Sequence, residues 1–300
     1  MKLTRAPSYQ TVGVLMALVA AACFGTLAIF GKLAEEAGLD TTTLLTYRFV
    51  LATLFIWTGL VLWRRARILP KRKRRVAFAL GFLYATFSAL FFWGLLFIPA
   101  GLTSLVFFTY PVYVYIFAVT LLDESLSPYK LGALVLALSG VALIVGGDAS
   151  NVDVFGVVLV LFAALGYAGY IVGNRAALAT IGADVLAGTA MAATSVAFLA
   201  FGLGSGRLVI PTGTDQWLII LGIAAVGTAF PIFLYVSALA RIPASHASVL
   251  GTGEPLVTVI LGIALLGESL TPLLVVGGVL ILVGVLVIQA DVGVETKAAQ

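Results

Sequence analysis

Charge is scarce in this 300-residue chain. Asp, Glu, Lys and Arg make up 10% of it, and it holds one cysteine, Cys23, and one histidine, His246. A single cysteine excludes an intrachain disulfide, and together with a single histidine it excludes a Cys/His zinc site or a multi-haem site. So little charge leaves too little polar surface to cover a water-soluble globule. What fills the chain instead is apolar: 62% of residues are hydrophobic and the mean hydropathy is +1.16. Cut into apolar segments of about 17–25 residues, this length has room for roughly ten membrane spans and none for a soluble catalytic or nucleotide-binding domain. Gly25 to Lys32 superficially resembles a phosphate loop, but it has one residue too many between its glycines, ends in Lys-Leu and lies in an apolar run. The net charge of +4 does not point to nucleic acid, because the basic residues sit beside the spans, where the positive-inside rule puts them. The expected partners are the lipid bilayer and a small-molecule substrate, with no nucleic acid, cofactor or metal; a homo-oligomer is compatible with this pattern.

The chain repeats itself. Ile98 to Pro128 returns as Ile242 to Pro272 at one fixed offset of 144 residues, without a gap. Pro99, Pro111 and Pro128 recur as Pro243, Pro255 and Pro272, and Glu124-Ser125-Leu126 recurs as Glu268-Ser269-Leu270. Apolar composition alone recycles Leu and Ala, but it does not return three prolines and a Ser-flanked Glu in register. Two units follow, 1–146 and 147–300.

The apolar runs place spans at about 12–31, 43–63, 76–97, 102–122 and 130–145. A turn rich in Gly and Asp, Gly146 to Asp153, separates them from spans at about 154–174, 184–203, 217–239, 246–266 and 273–289. A cleaved signal peptide competes for the first run, but the run is longer than a usual signal core. Between spans 2 and 3 lies the densest charge cluster, from Arg64 to Arg75 with eight basic residues. Held in the cytoplasm by that charge, it puts both termini inside and Glu268 outside. Five spans is an odd number, so the second unit enters the membrane from the opposite side, as in inverted-repeat carriers.

At these residues the chain resembles a known family. The two five-span units, Gly267-Glu268-Ser269-Leu270 ending span 9, Asp123-Glu124-Ser125-Leu126 ending span 4, the pair Glu254-Pro255, Lys32 closing span 1 and Arg48 in span 2 look like the paired EamA domains of the drug/metabolite transporter superfamily. The resemblance implies an all-α integral membrane protein of ten transmembrane helices, two inverted five-helix repeats around a central cavity. It implies a secondary carrier, not an enzyme, most like the exporters of aromatic amino acids and amphiphiles in a bacterial inner membrane. Span 1 departs from the pattern, with Phe24-Gly25 where many members carry Trp-Gly. Nucleotide-sugar exchange, a passive channel and an intramembrane lipid-modifying enzyme are the alternatives, and each calls for more buried polar residues than the chain supplies.

A charged residue inside a span is expensive, about 2.5–3.5 kcal/mol on insertion scales, so each one asks for a reason. Glu254 falls near the middle of span 9, before Pro255, and is the candidate to hold a substrate ammonium or to exchange a proton for it. Its repeat mate is Tyr110, before Pro111. The two proline-kinked helices are thus expected to present a carboxyl and a phenol to one site. Arg48 is the candidate partner for a substrate carboxylate, with pairing to an acid or to helix-end carbonyls as the structural alternative. Tyr84, Tyr167 and Phe230 join Tyr110 as candidates to stack on a substrate. Lys32 is read as snorkelling and His246 as interfacial. Gly132, Gly140, Gly169, Gly173, Gly277, Gly278 and Gly284 supply small faces for close helix approach.

The topology is directly testable. In intact cells, a cysteine replacing Lys71 is expected to resist an impermeant thiol reagent added from outside; labelling there would reverse the assigned orientation.

Overall fold

In the computed structural model the described residues are 9–122, 152–239 and 253–298, together with positions 132, 135, 136, 138–140, 142, 143, 241, 250 and 251. Most of span 5, Glu124, and residues 242–249 with His246 lie outside them. All regular structure among the described residues is helical: α1 (Tyr9–Phe24), α2 (Leu27–Glu36), α3 (Thr41–Leu62), α4 (Lys71–Gly94), α5 (Ala100–Phe107), α6 (Tyr110–Leu122), α7 (Val154–Leu178), α8 (Ala183–Ser205), α9 (Thr214–Ala224), a π-helical turn (Ala225–Ala229), α10 (Phe230–Leu239), α11 (Gly253–Leu266) and α12 (Pro272–Ala298).

Among the described residues, six helical stretches are long and apolar enough to cross a membrane: Thr11–Glu36, Thr41–Leu62, Lys71–Gly94, Val154–Leu178, Ala183–Ser205 and Thr214–Tyr235. Shorter apolar helices at Ala100–Val114, Gly253–Leu266 and Pro272–Gly284 fall on expected spans 4, 9 and 10. The outward faces carry large exposed side chains such as Leu54, Phe55, Phe82, Val196 and Leu218. An apolar surface of that kind is stable against lipid and not against water.

Local chemistry sets the helix ends. Asp40 caps α3, accepting from the amides of Thr42 at 2.8 Å and Thr43 at 3.4 Å. Asp153 caps α7 through Phe155 and Gly156, and Gly206 closes α8 in the left-handed conformation at φ 65°. One boundary differs from the expected one. The basic cluster is not all loop: Lys71 to Arg75 form the first turn of α4, so that helix projects past its apolar stretch, and Lys73 Nζ donates to the Thr180 carbonyl of the α7–α8 turn.

Helices pack closely where small residues meet. Gly94 and Gly156 face each other across α4 and α7; a methyl on Gly94 would stand 2.5 Å from Val160 Cγ2, and one on Gly156 would stand 2.7 Å from Phe97 Cβ. Gly173 serves the same purpose against Leu80, and Gly140 against Gly277. Gly132 does not, since a methyl there would meet nothing within 4 Å. Polar contacts add to the joints. Ser195 Oγ of α8 donates to the Phe49 carbonyl at 2.6 Å, and Thr194 Oγ1 donates to the Gly81 carbonyl at 2.8 Å.

The α4–α8 joint yields a prediction. A methyl on Gly81 would strike the Ala190 carbonyl and stand 2.6 Å from Ala193 Cβ. Gly81→Ala is therefore expected to cost about 1–3 kcal/mol, seen as a lower thermal midpoint in detergent. Gly204→Ala, where a methyl meets open space, should leave the midpoint unchanged.

Candidate functional site

Three spans are interrupted, and the interruptions converge on one region. Span 1 breaks at Gly25-Thr26 between α1 and α2, span 4 at Phe108-Thr109 between α5 and α6, and span 8 at the π turn between α9 and α10. Pro111 is the second residue of α6 and Pro255 the third of α11. In the first copy the proline thus stands in the first turn of a helix, where its missing N–H leaves no bond unmade, whereas residues 250 and 251 ahead of Pro255 are helical too.

The break in span 1 lies against the start of α11. A methyl on Gly25 would stand 2.8 Å from both the Glu254 carbonyl oxygen and Val257 Cβ, so only glycine fits there. The buried Thr258 hydroxyl bonds the Gly25 carbonyl at 2.8 Å and approaches that of Glu254 at 3.1 Å. This joint fixes the backbone that carries the Glu254 side chain.

Glu254 lies deep among protein atoms yet keeps some accessible surface. Among the described residues its carboxyl has no hydrogen-bond partner. It is within electrostatic range of Tyr84, Tyr110, Tyr167 and Tyr235. The rings form a continuous wall. Tyr110 meets Tyr167 edge-on at 4.7 Å between centroids, Tyr167 stacks on Phe107 at 5.2 Å, and Phe87 links Tyr167 at 5.0 Å to Tyr84 at 4.5 Å. A methyl on Gly251 would stand 3.7 Å from the Tyr110 hydroxyl, so the stretch leading into α11 faces the phenol of the first copy.

Arg48 is 1% exposed. Its guanidinium lies 4.5 Å from the Phe49 centroid and 5.0 Å from that of Phe92, which offer the charge two ring faces. Nε donates to Thr228 Oγ1 at 2.8 Å, while Nη1 is buried without a partner. Thr228 belongs to the π turn, and its hydroxyl donates in turn to the Ile223 carbonyl five residues back at 2.8 Å. Pro231 follows directly and has no amide to give, so the helix loses a regular bond at this point. π turns of this kind gather at functional sites. Tyr84 is within electrostatic range of Arg48 as well as Glu254, so one ring of the aromatic wall lies near both a cation and a carboxyl.

The structure therefore brings together Glu254, Tyr110, Tyr84 and Tyr167, and sets Arg48 beside them. Phe230 does not join: it is 51% exposed, because its position in α10 turns it to the outer face. Lys32 pairs with Glu35 at 3.2 Å on the exposed end of α2, a contact worth little. Two participants had no place among the sequence candidates. Tyr235 lies within electrostatic range of Glu254 and meets Phe24 edge-on at 6.4 Å, and Thr228 holds Arg48. The sequence signal for Thr228 was Pro231, a proline inside an apolar run.

Comparison with known proteins bears on this arrangement. The model of the EamA-like transporter family matches residues 11–146 and again 154–290. The chain belongs to the EamA-like transporter family. It is 26% identical over 278 residues to the uncharacterized transporter YcbK of Bacillus subtilis (strain 168), covering 88% of each chain. It is 30% identical over 231 residues to the threonine/homoserine exporter RhtA of Escherichia coli (strain K12), covering 75% of this chain and 74% of that one. A crystal structure 18% identical in sequence superposes with a TM-score of 0.68 over 92% of this chain and 95% of its own, and so shares the fold. This EamA-like protein is an integral membrane transporter with a doubled domain, not an enzyme.

The Arg48–Thr228 bond carries a stability prediction. Thr228→Val keeps the shape but leaves Nε of a buried cation without its acceptor, which is expected to cost about 1–3 kcal/mol. Thermal unfolding in detergent measures it, and Thr228→Ser, which retains the hydroxyl, should recover most of the loss.

Proposed function

We propose that this transporter exports small amino-acid-like or aromatic and amphiphilic metabolites by alternating access. In this reading two inverted five-helix units, 1–146 and 147–300, move about a central cavity in a bacterial inner membrane, with both termini and the Arg64–Arg75 segment in the cytoplasm. The observation that carries it is the Glu254 carboxyl, free of any hydrogen-bond partner among the described residues and within electrostatic range of four tyrosines. A carboxyl left alone inside a membrane protein is expensive. A substrate ammonium offsets that cost directly, and the ring faces of Tyr84, Tyr110 and Tyr167 add cation–π attraction of about 0.5–2 kcal/mol each.

The unpartnered Nη1 of Arg48 supplies the second pole, suited to the carboxylate of a substrate whose ammonium rests on Glu254. Export of threonine and homoserine by the relative in Escherichia coli, as its name states, fits a substrate of that charge pattern. A proton and an ammonium are alternative ways of neutralising one carboxyl, so the same residue couples substrate release to proton uptake.

Flux through proteoliposomes, with a panel of amino acids and their methyl esters, tests the proposal. Glu254→Gln keeps shape and hydrogen bonding but cannot ionise. It is expected to insert normally, to lower flux at least tenfold, and to abolish the response to an imposed pH gradient. Arg48→Gln is expected to remove the preference for the free amino acid over its ester. Unchanged flux and pH response in Glu254→Gln would reject the carboxyl as a transport group.

A further inference from the structure

At the end of the bundle opposite the Arg64–Arg75 segment, the two copies of the repeated stretch are tied by one side chain. α11 of the second copy ends at Leu266, and Gly267 takes the left-handed conformation at φ 65°. This turns the chain back, so that the Glu268 amide bonds the Gly262 carbonyl at 3.1 Å. The Glu268 carboxylate then reaches the start of α5 in the first copy, where it accepts from the Ala100 amide at 2.5 Å and from the Gly101 amide at 3.0 Å. Pro99 precedes these residues and has no amide hydrogen, so Ala100 and Gly101 offer the first free donors of the helix. Two glycines make the room. A methyl on Gly101 would stand 3.2 Å from Glu268 Oε2, and one on Gly262 would stand 2.6 Å from it.

The position of this tie gives it a meaning beyond capping. Beside it lies a cavity of about 310 Å³, wide open at the surface and lined by Lys32, Glu36, Phe97, Pro99, Leu266 and Glu268. On its inward side α5 runs, buried throughout, to Phe107, whose ring is part of the wall around Glu254, and α11 carries Glu254 itself in its first turn. α5 and α11 thus lie side by side between the cavity and the Glu254 site. A carboxylate on two helix-terminal amides is a strong, directional contact, but it is not covalent, and water replaces it when the helices part.

We propose that Glu268 is the latch of the gate at this end of the transporter. With its carboxylate on Ala100 and Gly101 the route from the Glu254 site to the cavity is closed. Release of the two amides lets α5 and α11 separate and opens the route, which faces the outside in the orientation proposed above and is the exit of an exporter. The inference rests on the alternating-access part of that proposal and not on the substrate assigned there.

Two measurements test it, both on the full chain with Cys23→Ser to remove the native thiol. The first locks the gate. A Cβ built on Gly101 lies 3.7 Å from Val259 Cα, within disulfide reach. Gly101→Cys with Val259→Cys, once oxidised, is expected to carry at least tenfold less flux than the same variant in its reduced form, whose own flux is the reference because a Cβ at residue 101 crowds Glu268. Full flux through protein shown by mass spectrometry to be cross-linked would overturn the proposal. The second needs no substrate. Ser104 is 4% exposed on α5, and a cysteine there in detergent-purified protein is expected to react severalfold faster with a maleimide when Glu268→Ala is present. Glu268→Gln, which keeps one acceptor, should lie between and serves if the alanine variant fails to fold. Equal labelling with and without the carboxylate would mark Glu268 as a cap alone. A transporter that moves none of the amino-acid panel yet shows the labelling increase would lose its assigned substrate and keep its latch.

Discussion

In an apolar medium, a polar group without a partner is the most costly feature a chain can carry. That constraint organises this protein. Its backbone answers with helices, and its hydroxyls answer by bonding carbonyls: Thr258 to Gly25, Ser195 to Phe49, Thr194 to Gly81 and Thr46 to Thr42. Against that background two unsatisfied groups stand out among the described residues, the Glu254 carboxyl and Arg48 Nη1. Tyr84 lies within electrostatic range of both side chains.

Helix association here cannot rely on exclusion of water, since lipid is as apolar as the helix faces. Close approach takes its place. Gly94 against Gly156, and Gly25 against the Glu254 backbone, put helix axes nearer than any side chain would allow. The Gly25 contact brings the broken span 1 onto the backbone that carries Glu254. The rings then fill the space that helices broken at Phe108-Thr109 and at the π turn leave between them.

The interruptions and the tie between copies have a common logic. A continuous helix satisfies its own backbone, whereas a broken one has free amides and carbonyls that must be met from elsewhere. Glu268 meets those at the start of α5, and Thr228 uses the loosened turn before Pro231 to reach Arg48. Each repair joins segments far apart in the chain, so a change at one end of such a contact reaches the other copy of the repeat.

The membrane character was legible from composition, and the duplication from identities in register at a spacing of 144 residues, because both are properties of the chain in one dimension. Glu254 was legible for the same reason: it is an acid inside an apolar run, and nothing else in that run competes with it. The packing of Tyr84, Tyr110 and Tyr167 into one ring cluster followed from aromatics concentrated in a few spans. Phe230 was misplaced because helices apolar all round give no phase, so only packing decides which face turns to lipid. Arg48 was visible as a cation, but its acceptor lies 180 residues away in a π turn, and its two flanking rings and free Nη1 are facts of packing alone. Glu268 shows the division most plainly. The sequence marked it as a repeated motif at a helix end, while its bonds to Ala100 and Gly101, 168 and 167 residues away, exist only because tertiary structure sets one copy of the repeat against the other.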